Sequence, residues 1–296
     1  MKVDLFLPDL TSYGVLKGFT RELAQALKRA GHNIRVIDFQ KKEDVQKHLA
    51  SPPEVTLAFN GLLPDVNGLF LYNFTKVPHI ALLLDHPERF LPLFSHPATK
   101  IGVIDKKHLE WAKKHHQDVF FFPHAVDAQR KVDLTRDRTT DILFPASFVT
   151  PLSQEEKIEQ AARKEAIEAL EGFPLKIVGK GSPSKEELSW DELRKSLETT
   201  KLVLQVTPKI SDGSHERVLE ALNAGALPLS TPNQWLKEEF PSVPQFQSKE
   251  ELKSWVTRLL SDEAERKRRV KEALPYLNER HTWDIRAHLI ESIVKK

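Results

Sequence analysis

The chain contains no cysteine, which excludes disulfides and thiolate metal sites. It has no charge bias either: 44 Lys and Arg stand against 42 Asp and Glu, for a net charge of +2. Nucleic-acid binders usually carry a strong basic surplus or stripe, so nucleic acid is not an expected partner. No apolar run approaches the roughly 18 residues needed to span a bilayer, which leaves only peripheral membrane contact open. The opening "MKVDLFLPDL" has Asp4 and Asp9 inside its apolar run and is not expected to act as a signal peptide. The simplest expected setting is the cytoplasm, with contact to the inner face of a membrane left open. Standard chemical motifs are also missing. There is no G-x-S-x-G elbow to support Ser-His-Asp hydrolysis, and "HERVL" lacks the second His of H-E-x-x-H. No metal site and no cofactor are expected.

What the chain does have is rhythm. Its 296 residues, 40% hydrophobic and 29% charged, suffice for two domains of ordinary size. Short apolar runs alternate with helical patterns. "VDLFLP", "IRVIDF", "EVTLAFN", "HIALLLD", "KIGVID" and "DVFFFP" are strand candidates in the first half, and "LKGFTRELAQALKRAG" is a helix that stops at Gly31. The polar, nonperiodic stretch His124–Asp141 breaks the pattern and reads as an interdomain linker. The rhythm then restarts with "ILFPASF", "PLKIVG", "KLVLQV" and "ALPLS", separated by helices. The tail 248–277 reads as one long charged helix, and "TWDIRAHLIESIVKK" as a last one. Near-continuous apolar strands between helices indicate parallel sheets covered on both faces. The expected fold is therefore two doubly wound, Rossmann-like α/β domains facing across a cleft. In such sheets ligands bind beyond the carboxyl ends of the strands, so candidate residues are those just after strands.

Gly179-Lys180-Gly181 follows a strand, but Ser184 stands where a dinucleotide fingerprint needs Gly or Ala. A Walker A loop needs Ser or Thr where Gly181 stands. The glycines can simply make a tight turn. Alternatively they let a nucleotide approach the backbone, with Lys180 supplying charge. "SDGSHERVLEALNAGALPLST" (Ser211–Thr231) is a polar loop, an amphipathic helix, a glycine stop and a small apolar strand. Gly213 and Ser214 precede the helix, whose positive N-terminal end suits a phosphate. Val218, Leu219 and Leu222 share one face, and Glu216, Arg217 and Glu220 share the opposite one. Taken alone, those charges read as a solvated face. Like charges at i, i+4 cost a little there, and a ligand with hydroxyl donors would justify a carboxylate.

This stretch resembles the C-terminal domain of GT-B glycosyltransferases of the group 1, or family 4, superfamily. Their signature is an acid, seven intervening residues and a Glu, then A-x-G and a small apolar strand. Asp212, Glu220 and Ala224–Gly225 take those positions. "R-x-x-E-A-L-x-A-G-A" from Arg217, together with His281, Thr282 and Arg286 near the C-terminus, is closer to the branch of the spore maturation protein CgeB. "LKIVGKG" resembles the family's donor-loop strand, and "FFPHAVD" its linker motif.

The resemblance implies domains at 1–133 (acceptor side) and 134–278 (donor side), with the helix of 279–296 crossing back to the first. It implies transfer of a sugar from a nucleoside-diphosphate sugar to a glycan, lipid-linked or protein acceptor, without a metal and with retention of configuration. Glu220 would accept hydrogen bonds from the ribose. The backbone of Gly213, Ser214 and His215 would bind the diphosphate, with Arg217 and Lys209 or Lys180 as counter-charges and Gly181 giving room. Asp212, where the family usually has Glu, would contact the transferred sugar. Asp85 and His86, ending a first-domain strand, would activate the acceptor or position the sugar. Gly14 would let its loop approach the diphosphate. Asn60–Gly61 reads as a turn, and His124 as a cleft-lining residue. An epimerase or a non-catalytic nucleotide-sugar binder on the same fold are the alternatives. The donor base, the sugar and the oligomeric state are not legible.

Overall fold

A computed structural model of the protein describes residues 1–7, 14–64, 67–148, 150–151, 154–207 and 212–295. The chain divides into two compact units, Met1–Asp127 with Thr282–Lys296, and Ala128–His281. The expected domain boundaries were 133/134 and 278/279. Residues 128–133 fall in the second unit because Arg130 is anchored there, on Glu198 and Glu220. No helix among the described residues is long and apolar enough to cross a membrane.

The first unit runs β1 (Lys2–Phe6), α1 (Val15–Arg29), β2 (Asn33–Ile37), α2 (Lys42–Ala50), β3 (Val55–Phe59), α3 (Leu71–Thr75), β4 (His79–Leu83), α4 (Leu91–Phe94), β5 (Thr99–Val103), α5 (Lys106–Lys113) and β6 (Val119–Phe121). Its sheet has the order β2-β1-β3-β4-β5-β6, parallel throughout. Every residue of β3 and β4 is buried, as expected of central strands covered on both faces. In α1, Leu16, Phe19, Leu23 and Leu27 recur at helical spacing and are all buried. On β1, Asp4 is fully buried and takes Arg35 Nε at 2.6 Å and His48 Nδ1 at 2.6 Å. Burial pushes its carboxyl pKa up, but the hydrogen bonds from His48 and Arg35 outweigh this and hold it below the ordinary value.

The last helix, α12 (Trp283–Val294), packs on α1 in this same unit. Trp283 is 1% exposed, donates Nε1–H to Glu22 at 2.7 Å, and lies against Phe19 and Phe59. Arg286 is buried and donates to the Pro123 carbonyl at 2.6 Å and the His124 carbonyl at 3.0 Å. Thr282 caps the helix through Ile285 N–H and bridges to Val126. His124 itself is only 4% exposed and sits edge-on to Phe19. This corrects the cleft-lining expectation: the imidazole is part of the core under α12.

His79, at the start of β4, is buried, and burial pushes its pKa down to about 3. The neutral ring pins a neighbouring loop. Nδ1 is 3.0 Å from Thr56 Oγ1, and Nε2 accepts the Leu62 N–H at 3.1 Å. The unfolded chain therefore binds a proton near pH 6.5 that the folded one refuses until about pH 3. Stability falls as pH drops through this window, by about 1.4 kcal/mol per pH unit. Chemical denaturation at pH 6.5 and pH 5 should show this loss, and the His79→Gln variant should show a shallower pH slope.

The second unit runs β7 (Thr140–Pro145), α6 (Gln154–Ala169), β8 (Leu175–Val178), α7 (Trp190–Glu198), β9 (Thr200–Gln205), α8 (Glu216–Asn223), β10 (Leu227–Ser230), α9 (Gln234–Glu239), α10 (Lys249–Ser261) and α11 (Glu263–Arg280). Its parallel sheet has the order β10-β9-β7-β8. Right-handed crossovers put α6 on one face and the neighbours α7 and α8 on the other. The expected single tail helix is two helices. Asp262 has non-helical backbone angles, and its carboxylate caps α11 through Glu265 N–H at 2.8 Å. Helix α8 ends in a Schellman motif: Ala226 N–H bonds Ala221 O and Gly225 N–H bonds Leu222 O, both at 2.9 Å, with Gly225 at φ +79°.

Candidate functional site

Both sheets reverse their strand order at one point, and such points mark ligand sites in open α/β sheets. In the first unit it lies between β1 and β3, in the second between β7 and β9. The described sequence candidates fall on the loops at these carboxyl ends or, for Arg217 and Glu220, in the helix α8 that follows one of them.

In the second unit the loops after β7, β8, β9 and β10 hold one another. Phe148 N–H bonds Lys180 O at 2.7 Å. A Cβ on Gly181 would lie 2.5 Å from the Phe148 carbonyl oxygen. Gly181 is thus required for close approach of two backbone segments, and the Lys180 side chain beside it is exposed. Asp212 Oδ1 accepts the Trp235 N–H at 2.6 Å, and Asn233 donates Nδ2–H to the Gly213 carbonyl at 3.0 Å. Asn233 also caps α9 through Leu236 N–H. The 212–213 segment is therefore stapled to the start of α9, and one oxygen of Asp212 is engaged there. Lys209 lies outside the described residues.

His215 precedes α8. Its Nδ1 lies 2.9 Å from Glu216 Oε2 and 3.4 Å from Arg217 N. One nitrogen cannot both give and accept a proton. The shorter contact is the hydrogen bond, with Nδ1–H donating to Glu216, which accounts for that carboxylate. Arg217 turns toward the end of β9 and donates Nη1–H to Gln205 Oε1 at 2.5 Å. Gln205 is 1% exposed, and its Nε2 has no acceptor among the described residues. It lines a small depression with Gly213, His215, Ser230 and Asn233. An orphaned buried N–H, in a depression shared with residues that precede α8, marks a place for a polar acceptor. The sequence reading missed Gln205, although it interrupts the apolar run that follows Lys201 in "KLVLQV".

Glu220 departs most from expectation. It is 1% exposed, so it lies on no solvated face. Its Oε2 sits 3.5 Å from Arg130 Nη1 and 3.3 Å from Arg194 Nε. Arg130 also bonds Glu198 Oε1 at 2.5 Å, and Arg136 pairs with the other oxygen of Glu198. The Arg130 hydrogen bond holds the Glu198 carboxyl below its ordinary pKa. Neither Arg130 nor Arg194 was a sequence candidate. One lies in the supposed linker, and the other flanks the apolar face of α7.

In the first unit, Asp85 and His86 follow β4. Asp85 is exposed and takes Asn60 Nδ2–H at 3.0 Å, while Asn60 Oδ1 accepts Leu84 N–H at 2.9 Å. Asn60 and Gly61 form a left-handed turn at φ +59° and +72°. His86 caps a 3₁₀ turn over Pro87–Phe90 and packs edge-on to His108, ring centres 4.6 Å apart. Burial lowers the His108 pKa. His108 was missed because its neighbourhood is a lysine-rich helix. Gly14 precedes α1 at φ +65°, with open space where a Cβ would stand. Among the described residues no group of His, Asp and Glu is placed to hold a metal ion.

The architecture, two parallel-sheet α/β domains, is that of GT-B glycosyltransferases. Residues 158–292 match the family described as glycosyl transferase-like. The fold is shared over the whole chain with AviGT4, a glycosyltransferase of avilamycin A biosynthesis, at 15% identity and TM-score 0.63, covering 99% of this chain and 97% of that one. An alpha-glucosyltransferase in complex with UDP and a 13-mer DNA matches at 11% identity and TM-score 0.69, covering 100% of both chains. HepE of Anabaena, in complex with UDP and glucose, matches at 11% identity and TM-score 0.64, covering 99% of both. No curated protein sequence matches the chain.

Proposed function

We propose that the protein is a glycosyltransferase that moves a sugar from a nucleoside-diphosphate sugar to a glycan, lipid-linked or protein acceptor. The observation that carries this reading is the loop and helix 212–223. It combines the Asp212-to-Glu220 spacing of the family signature with a buried, unsatisfied Gln205 amide at the N-terminal end of α8. That end sits beside the switch point of a GT-B second domain. The match of residues 158–292 to glycosyl transferase-like domains supports the donor-side assignment. UDP sugars are the first donors to test, because two proteins of this fold hold UDP. The CgeB-like branch, retention of configuration and independence of metals are parts of the same proposal.

The diphosphate is assigned to the first turn of α8, with Arg217, Lys209 and Lys180 as counter-charges. Positive groups and a helix N-terminus stabilise the departing diphosphate as charge develops on it. Asp212, whose Oδ1 holds the start of α9, is assigned to the transferred sugar. Glu220 serves the ribose through an edge of its clamped carboxylate. It also ties α7, α8 and the 130 segment together. Asp85 or His86 is assigned to the acceptor or the transferred sugar, with Gly14 giving its loop access to the diphosphate.

Product analysis with a labelled UDP sugar and a panel of glycan and lipid-linked acceptors tests the reading. Label should move to an acceptor and UDP should appear. An isomerised nucleotide sugar formed without acceptor would replace the transferase by an epimerase.

A further inference from the structure

We propose that the amino-terminal end of the second unit's sheet, opposite the loops just described, holds a separate binding site for a phosphoryl group. A cavity of about 320 Å³ lies there, and its walls include Arg136, Arg138, Lys201, Gly225, Arg266 and Lys267. This volume is at the small end for ligand sites and would take a phosphate ester and little more.

The charge arrangement separates this cavity from an ordinary patch of ion pairs. Three of the five cations are matched: Lys201 with Asp141 and Lys267 with Glu263, both at 2.5 Å, and Arg136 with Glu198. Arg138 and Arg266 form no ion pair with a carboxylate among the described residues. Arg138 donates Nη1–H to Thr200 O at 2.8 Å and Glu198 O at 3.2 Å, and Nη2–H to Ala224 O at 3.0 Å. Arg266 is 7% exposed and donates Nη1–H to the carbonyls of Leu259 and Leu260. Its Nε and Nη2 have no acceptor among the described residues.

Most of these carbonyls end helices α7, α8 and α10, where the helix dipole suits a cation. They hold the guanidinium groups in place without cancelling their charge. Burial lowers the pKa of both arginines, and Arg136 and Arg266 lower that of Arg138 further, against the opposing charges of Asp133 and Glu198 on Arg138 and of Glu263, Asp141 and Asp262 on Arg266. Asp137 on the wall is an exposed carboxylate and offsets only part of the surplus. Gly225 completes the arrangement, because a Cβ there would stand 2.4 Å from Arg138 Nη2. A phosphoryl dianion offers three acceptor oxygens, which suit the fixed N–H fork of a guanidinium.

The group could belong to a soluble phosphate ester or to a lipid headgroup, and the test separates the two. Thermal unfolding is followed in inorganic pyrophosphate and in chloride at matched ionic strength. Pyrophosphate should raise the midpoint by roughly 3 °C or more at tenfold saturation. The rise should shrink in Arg266→Met and in the surface variant Lys267→Ala, and vanish when Arg266→Met is combined with Arg217→Ala, since the proposed donor site also takes a diphosphate. It should persist in Arg217→Ala, which damages only the proposed donor site. Flotation with phosphatidate vesicles forms the second arm: capture that Arg266→Met abolishes assigns a headgroup, and a pyrophosphate shift without capture assigns a soluble ester. Absence of any shift, or a shift lost in Arg217→Ala and kept in Lys267→Ala, overturns the proposal.

Discussion

Glu220→Ala should cost the protein about 3–5 kcal/mol of stability, the usual loss when one partner of a buried ion pair is removed. Glu220 is 1% exposed and shared by Arg130 and Arg194. Its removal takes a buried carboxylate from two neighbouring guanidinium groups, of which Arg130 keeps Glu198. The melting midpoint should fall by roughly 10 °C. An apolar replacement of the network can be close to neutral, so Glu220→Leu with Arg194→Met should recover much of the loss. An unchanged midpoint in Glu220→Ala would show that the carboxylate does not clamp α7 to α8. The same variant bears on donor binding, so affinity must be compared at a temperature where both proteins remain folded.

Gly225→Ala should destabilise by about 3 kcal/mol or more, for two separable reasons. A residue with a side chain is strained at φ +79°, which costs about 1–3 kcal/mol. The new methyl would also meet Arg138 Nη2 at 2.4 Å, Val132 at 3.1 Å and Leu134 at 3.3 Å. A double-mutant cycle with Arg138→Ala separates the terms. Arg138→Ala should relieve the collision and leave the backbone strain. Full additivity of the two losses would show that glycine is needed for its backbone alone.

The ten strands among the described residues were all legible in the sequence, because parallel strands buried on both faces are continuous apolar runs bounded by turns. The helix-forming stretches over 16–31 and 282–296 were legible, the first from its apolar spacing and its stop at Gly31. Helices α3, α4 and α9 are too short to show a period. The break in the tail at Asp262 was hidden because both sides of it are charged and helical. The largest gap concerns partners distant in the chain. A helical wheel groups Glu216, Arg217 and Glu220 on one polar face, yet each has a separate fate. Glu216 meets His215, Arg217 reaches Gln205, and Glu220 is buried by arginines 26 and 90 positions away. The polar stretch 124–141 looked like a tether for the same reason. Its arginines pin it to α7 and α8 through contacts that no local pattern displays.

The family signature drew attention to the stretch from Asp212 to Gly225, and the structure explains part of it in architectural terms. Asp212 holds the start of α9, Gly225 makes room for Arg138, and Gly181 lets Phe148 approach. These are architectural reasons for residues that also border the proposed donor site. Gln205 is the contribution that only the fold could reveal, since its burial and its unsatisfied amide depend on α8 lying over the end of β9.

The central claim is that the second unit binds a nucleoside-diphosphate sugar at the start of α8. A thermal-shift screen against UDP, GDP, ADP and TDP sugars tests it most directly, with Arg217→Ala as the companion variant. At one hundred times its dissociation constant, a true donor contributes about 2.7 kcal/mol to the folded state, a rise of roughly 5–10 °C. Loss of a charged hydrogen-bond partner should weaken that donor about tenfold or more in the Arg217→Ala variant. The account predicts stabilisation by the sugars of one base and its reduction in Arg217→Ala. No stabilisation by any of the four, with the protein folded and the variant indistinguishable from it, would contradict the account.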